Sequence, residues 1–190
     1  MDTKFFQFIF KWFFQKLFIL FNGNINEFRD FSLIDVKITE LKNTTSDTNL
    51  TKYQIYEIEK GRIYTDTVEN VAIIKDNTII PNISYQQIYG ELKTSKFNKV
   101  LKTGTPRIKK NFKGTVFSMV QGGSGNNYFH FLIDIISRIK MCEEFYTLDD
   151  IDYFYVPNCL DWQLKIFRAL GVRDEQIINS DKYRHIQADR

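Results

Sequence analysis

The residues best suited to chemistry gather in one stretch, residues 115–141, TVFSMVQGGSGNNYFHFLIDIISRIKM. An apolar run ends in a turn holding Gly122, Gly123 and Gly125, and the turn opens a segment carrying His130, Asp134, Ser137 and Arg138. Glycine tolerates positive φ and lets a ligand approach the backbone closely. A helix beginning after such a turn presents unpaired N–H groups and the positive end of its dipole, which suit a phosphate or carboxylate. At roughly 100° per residue, His130, Asp134, Ser137 and Arg138 share one sector of the helix, and Phe131, Leu132, Ile135, Ile136, Ile139 and Cys142 cover most of the opposite side. The side holding Leu132, Ile136 and Ile139 is expected to face the core, which turns His130 toward a cleft or solvent. His130 could then accept a proton, with Asp134 orienting the ring or stabilising the imidazolium. Spacing alone allows a structural alternative equally well: an Asp134–Arg138 ion pair worth a few tenths of a kcal/mol, with His130 as a cap.

Three motifs come close here, and each fails at one position. The dinucleotide pattern G-x-G-x-x-G fits Gly123 and Gly125 but meets Tyr128 at its third glycine. The nucleophile elbow G-x-S-x-G fits Gly122 and Ser124 but ends on Asn126, so a serine hydrolase is a minor alternative. A P-loop needs Gly-Lys-Ser/Thr, which is absent. A glycine-rich strand-to-helix turn that binds nothing stays open on spacing alone.

The elements that must position these residues are legible from periodicity. Thr115–Val120 reads as a strand, 127–146 as a helix, Asp152–Val156 as a strand ended by Pro157, Leu160–Leu170 as a helix capped by Gly171, and Glu175–Asn179 as a short strand, with another beginning at His185. Strands alternating with helices indicate βαβ units and a parallel sheet. Upstream, Tyr53–Ile83 is rich in Ile, Val, Tyr and Thr in short runs, with Asp76-Asn77 as a hairpin turn, so a small antiparallel β region is expected. Residues 84–111 read as polar and irregular, and the Thr/Asn/Ser/Asp-rich run 43–51 as a loop. Two sequons in that run, at Asn43 and Asn49, carry no weight without a secretory signal.

The first 21 residues stand apart. KFFQFIFKWFFQKLFILF, residues 4–21, forms a helix with one narrow polar stripe of Lys4, Gln7, Lys11 and Gln15. Lysines interrupt the apolar run and no small-residue cleavage site follows, so it is a poor secretory signal. Lysine near a bilayer centre costs about 3 kcal/mol, so it is also a poor spanning helix. A helix lying in a membrane surface fits best, and packing against the domain or a partner is the alternative.

Composition bounds the rest. The chain has 190 residues, 43% of them hydrophobic, enough for one domain with a packed core. Its net charge of +3 does not indicate a nucleic-acid partner, and Arg107-Ile108-Lys109-Lys110 beside Pro106 reads as a solvated loop. Cys142 and Cys159 have no CxxC spacing and no histidine at zinc-ligand spacing, so both are read as reduced and partly buried, and no metal is expected. Asp150-Ile151-Asp152 has Asp-x-Asp spacing but precedes a strand, where it ends a loop.

Several residues carry a resemblance: Gly122-Gly123, then Asn127-Tyr128-Phe129-His130-Phe131, Asp134 and Arg138. Weaker matches fall in order at Gly61-Arg62-Ile63-Tyr64, Val71-Ala72-Ile73-Ile74, Ile83-Ser84, Trp162, Leu170-Gly171-Val172 and His185-Ile186-Gln187-Ala188-Asp189. Over roughly residues 53–190 the chain resembles glycosyltransferase family 61, whose members include polysaccharide-synthesis and glycan-decorating enzymes. The resemblance implies an α/β fold: the Rossmann-like N-terminal lobe of a GT-B glycosyltransferase, preceded by the antiparallel β region and the N-terminal helix. It implies inverting transfer of a sugar from a nucleotide-sugar to a glycan or polysaccharide acceptor, with no further cofactor. His130 and Asp134 match the family's His/Asp block and are the expected catalytic pair; Gly122, Gly123, Asn126, Asn127 and Arg138 are the expected substrate contacts. The organisation expected is a helix at 1–22, a β-rich region at 23–111 and an incomplete βαβα lobe at 112–190. Family members continue past the point matching Asp189 into a lobe that binds most of the donor, so a fragment, weak or inactive alone, is expected. The alternative from another class is a non-catalytic membrane-surface or interaction module. A cytoplasmic location at the inner face of a membrane is the expectation.

Overall fold

A computed structural model describes residues 3–41, 53–66, 69–121 and 126–190. The expected loop 43–51 with its sequons, and Gly122, Gly123, Ser124 and Gly125, lie outside the described residues.

Helix α1 (Thr3–Asn22) holds no glycine or proline and ends at Gly23, whose φ of 80° supplies the left-handed turn. Strands β1 (Lys37–Glu40) and β2 (Gln54–Glu57) form a separate antiparallel ribbon. A mixed sheet follows. In its strands β3 (Arg62–Thr65), β4 (Asn70–Lys75), β5 (Thr78–Ile79), β6 (Tyr85–Ile88) and β7 (Glu91–Thr94), β3 pairs antiparallel with β4, β4 with both β5 and β6, and β6 with β7. Asp76-Asn77 forms the predicted hairpin turn, with φ of 47° and 59°, values that suit the twist of a two-residue hairpin.

Residues 84–111 are not irregular, contrary to the composition-based expectation. They supply β6, β7, helix α2 (Val100–Thr103) and strand β8 (Lys110–Phe112). Their polar character reflects a buried amide plug rather than a loop. Asn98 donates to the Val71 carbonyl at 3.0 Å and the Tyr85 carbonyl at 2.9 Å, and accepts from Asn70 at 2.6 Å and from the Val100 N–H at 3.1 Å. Buried polar groups persist when they are hydrogen-bonded in this way.

The alternating unit then appears where the periodicity places it: β9 (Val116–Ser118), α3 (Tyr128–His130), a π-helical segment Phe131–Ile136, α4 (Ser137–Cys142), β10 (Tyr153–Val156), α5 (Asp161–Ala169) and β11 (Ile177–Asn179). β10 lies between β9 and β11, parallel to both. The final strand, β12 (His185–Ala188), does not extend this parallel sheet as the alternating pattern predicts. It inserts into the mixed sheet, antiparallel to β3 and parallel to β8, completing the order β7-β6-β4-β3-β12-β8 with β5 on β4. The chain is a mixed α/β fold.

Side-chain alternation stacks these layers. Phe154 and Val156 of β10 pack with Phe131, Ile135, Ile139 and Phe167, so both helices cover one face of the parallel sheet. Tyr155, from the opposite face, packs with Ile63, Val71, Ile73 and Ile186 of the mixed sheet. The far face of that sheet buries Tyr64, Ala72, Ile74 and Ile79 against Ile25 and Val100. Gly114 starts β9 at a φ of 98°, and a Cβ there would come within 2.2 Å of the Asp152 carboxylate, which accepts the Thr115 N–H at 2.7 Å. Only glycine fits this entry to the site strand.

α1 is held by its last turns. Gln15 donates to the Lys102 carbonyl at 3.1 Å, Asn22 to the Thr105 carbonyl at 3.0 Å, and Arg62 to the Asn22 carbonyl at 3.0 Å, placing a cation at the helix C-terminus. Residues 4–14 are exposed on every side. Among the described residues no helix is long and apolar enough to cross a membrane.

His185, 1% exposed on β12, has Nδ1 at 3.1 Å from the Arg107 carbonyl, so that nitrogen carries the proton. Burial pushes its pKa down to about 4, with Arg62 and Lys109 adding to the effect and the Arg107 carbonyl opposing it. The unfolded chain titrates near 6.5. Between these values the unfolded state binds a proton that the folded state does not, so stability falls as pH falls from about 6.5 toward 4, by about 3 kcal/mol at the limit. Urea unfolding across this range will show that slope in the wild type and a shallower one in His185→Gln; equal slopes would contradict the assignment.

Candidate functional site

The site begins where β9 ends. Asn127 caps the helix by accepting the His130 N–H on its side-chain oxygen at 3.1 Å, while its carbonyl accepts the Phe131 N–H at 2.9 Å. The π segment follows at once, so residues 127–146 are not the regular helix that periodicity suggests, and the helix ends at Cys142. Wide π turns cluster at functional positions because they shift which residues share a face. Ser137 donates its hydroxyl back to the Ile133 carbonyl within this wide turn. Phe131, Ile135, Ile139 and Cys142 face the core, with Leu132 and Ile136 partly buried beside them. Trp162 of α5 locks the start of the helix, its ring 4.9 Å from Phe131 and 5.2 Å from Tyr128.

His130 Nδ1 lies 2.9 Å from Asp134 Oδ2. A carboxylate only accepts, so Nδ1 carries the hydrogen, and in the neutral tautomer this selects, Nε2 holds the lone pair on a half-exposed ring. Asp134 is less exposed than His130, at 30% against 50% of the side chain. This is the pairing in which a carboxylate sets the tautomer of a base. The structural alternative is not what the geometry holds: among the described residues Asp134 pairs with His130 and not with Arg138, and the cap is Asn127. Arg138 instead reaches back to the Gln121 side-chain oxygen, tying the helix to the end of the strand. Burial pushes the Arg138 guanidinium below the usual arginine range, with Tyr85 and Asp134 opposing.

A cavity of about 1070 Å³ opens beside this helix, between the parallel unit and the mixed sheet. Gln121, Asp134, Ser137 and Arg138 line it; His130 is not part of the wall but is bonded to Asp134, which is. Glu57, Tyr146 and Arg190 also line it. The Lys37 ammonium at 2.6 Å holds the Glu57 carboxyl below its ordinary value. Burial and the Glu57 carboxylate push the Tyr146 hydroxyl up to about 12, and Arg190 lies over the Tyr146 ring at 5.3 Å.

Of the residues expected from sequence to serve the site, His130, Asp134 and Arg138 come together on one helix. Asn127 is committed to its cap, Asn126 is exposed beside it, and Gly122 and Gly123 lie outside the described residues. Gln121, Glu57, Tyr146 and Arg190 escape sequence reasoning. Gln121 precedes the turn and could have been suspected as a long amide at a strand end. The other three meet only through the fold and leave no local signal. Among the described residues no group of three His, Cys, Asp or Glu side chains could hold a metal ion. Cys142 and Cys159 are free, and burial pushes their thiols up to about 11 and about 12, so neither is a thiolate nucleophile near neutral pH. Comparison with family models, with curated proteins and with solved structures finds no match.

Nitrogen-15 NMR of the imidazole tests the tautomer assignment. Wild-type His130 will show the Nδ1–H form, and Asp134→Ala will shift it toward Nε2–H with little loss of stability, as expected for a solvent-accessible pair. The same tautomer in both proteins would separate Asp134 from any orienting role.

Proposed function

We propose that the chain forms the acceptor-side, Rossmann-like lobe of a GT-B glycosyltransferase that moves a sugar from a nucleotide-sugar to a glycan or polysaccharide acceptor with inversion. The observation that carries this reading is the 2.9 Å contact between His130 Nδ1 and Asp134 Oδ2 beside a cavity, in the first turn of the helix that follows β9. Ligands of parallel sheets bind at the carboxyl ends of their strands, where this pair stands. The resemblance of residues 122–138 to family 61 supplies the substrate class.

In this reading, His130 Nε2 takes the proton of the acceptor hydroxyl as its oxygen attacks the anomeric carbon. The bond from that carbon to the nucleotide oxygen breaks, and the electron pair leaves with the nucleotide. Attack from the face opposite the leaving group inverts the anomeric centre. Asp134 stabilises the imidazolium that forms. The GT-B arrangement puts most donor contacts in a second lobe. The exposed aromatic side chains of residues 4–21, interspersed with Lys4, Lys11 and Lys16 and free of carboxylates, support a placement at the inner face of a membrane.

The test is transfer by the full gene product, offered nucleotide-sugars and glycan acceptors. His130→Ala will lower transfer by at least about 100-fold with the circular dichroism spectrum and melting temperature unchanged. Wild-type transfer in that variant would remove His130 from the reaction. No transfer by either protein, together with sedimentation on vesicles, would favour the non-catalytic surface module, for which the aromatic face of α1 suffices.

A further inference from the structure

An amphipathic helix that packs on its own domain turns its apolar side inward. α1 does the opposite. Gln15 lies on the polar stripe with Lys4, Gln7 and Lys11, and Asn22, seven residues further on, falls on the same line. This stripe is what meets the body: Gln15 donates to the Lys102 carbonyl at 3.1 Å, and Asn22 donates to the Thr105 and Arg107 carbonyls at 3.0 Å and 3.3 Å. Ile19 flanks the line and lies so close to Gly104 that a Cβ there would come within 2.9 Å of it. Phe6, Ile9, Phe10, Phe13 and Leu20 occupy the opposite side, and all are exposed, Leu20 to 80%. Large apolar side chains exposed together mark a contact surface.

The same hydrogen bonds bring a distant basic stretch beside the helix. The chain carries no Asp or Glu from residue 3 to residue 26 or from residue 92 to residue 133. Lys102, Arg107 and Ile108 stand exposed where the polar stripe ends, Ile108 to 85%. Among the described residues Lys11, Lys16, Lys102 and Arg107 form no ion pair, whereas Lys96 and Lys99 are paired with Glu27 and Asp66. An apolar protein partner would cover the aromatic side and leave these cations uncompensated. A surface of anionic headgroups compensates them, at a gain that grows with each basic side chain brought to it. A helix lying in such a surface sinks its apolar side and keeps its polar stripe level with the headgroups. The body then stands on the water side, where the stripe already holds it.

We propose that α1 and the stretch 102–108 form one surface for an anionic lipid bilayer, with the aromatic side of α1 in the interface and Lys11, Lys102 and Arg107 on the headgroups. The proposal rests on the membrane placement given above. To that placement it adds the lipid class, a second contact element and a fixed orientation of the body, and it involves no step of sugar transfer.

Sedimentation of the purified full chain with vesicles tests it. Phosphatidylcholine vesicles holding about 30 mol% phosphatidylserine will bind the wild type at least about tenfold more tightly than phosphatidylcholine alone, and the difference will shrink as salt rises from about 0.1 M to about 0.5 M. Trp12 emission will move to the blue on binding, a change absent in Trp12→Phe. Lys102→Gln/Arg107→Gln will weaken binding to the anionic vesicles at least about tenfold, with the Trp12 shift retained at saturating lipid. Phe10→Asp/Phe13→Asp will abolish binding to both vesicles. Should the Lys102→Gln/Arg107→Gln variant fail to fold, the lipid and salt dependence of the wild type carries the test. Equal binding to the two vesicles, or a folded Lys102→Gln/Arg107→Gln variant that binds like the wild type, overturns the proposal and leaves α1 alone as the membrane contact. No binding to either vesicle overturns it together with the membrane placement. A dimer in vesicle-free buffer that Phe10→Asp/Phe13→Asp dissolves would then give the aromatic side to a second copy of the chain. Because no turnover is measured, each of these failures leaves the sugar-transfer reading standing, and the converse holds.

Discussion

Burial of β10 on both faces is the constraint on which the rest of the molecule depends. Phe154, Tyr155 and Val156 are all fully buried, and their alternation commits them to different layers. Two side chains accept the helices and one accepts the mixed sheet. A strand in this position cannot slip by one residue without driving Tyr155 into the helix layer. Its hydroxyl, donating to the Tyr183 carbonyl at 2.6 Å, adds a directional tie to the chain entering β12. β12 then returns to the mixed sheet, where it pairs between β3 and β8.

That rigid middle layer explains why the site stands where it does. β9 runs parallel to β10, so its carboxyl end and the following helix lie at one edge of the sheet. Trp162, Phe131 and Phe167 form an aromatic contact that fixes the start of the helix against α5. With its apolar side committed to the core, the helix turns Asp134 and Arg138 toward the cavity and leaves His130 at its border. The π segment buries Phe131 and Ile135 and α4 continues with Ile139 and Cys142, while Asp134 keeps its contact with His130. Layer packing thus positions a polar pair that sequence proximity alone left ambiguous.

Much of this was legible in the sequence because the signals were local. The alternation of β10, the caps of α1 and α5, the Asp76-Asn77 hairpin and the apolar stripe through Phe131, Ile135 and Ile139 all follow from neighbours within a few residues. What was not legible depended on partners far along the chain. The amide plug of Asn70, Gln86 and Asn98 makes strands of residues that read as loop, because the Asn70 amide nitrogen and the Gln86 and Asn98 side chains meet only once β4 and β6 lie side by side. The placement of β12 was equally hidden. HIQA reads as a strand anywhere, and only its pairing with β3, more than a hundred residues earlier, decides its sheet. Within the site, i,i+4 spacing offered Asp134 two partners in His130 and Arg138. In the fold Asp134 bonds His130, and Arg138 engages Gln121 instead.

The central claim is that His130, set by Asp134, faces the hydroxyl of a bound saccharide. The most direct measurement follows the His130 ring C–H resonances while defined oligosaccharides of differing sugar and linkage are titrated into the protein. The account predicts saturable shifts of those resonances with at least one oligosaccharide, lost when Asp134 is replaced by alanine. Saturable saccharide binding that moves signals elsewhere and leaves the His130 ring unchanged would contradict it.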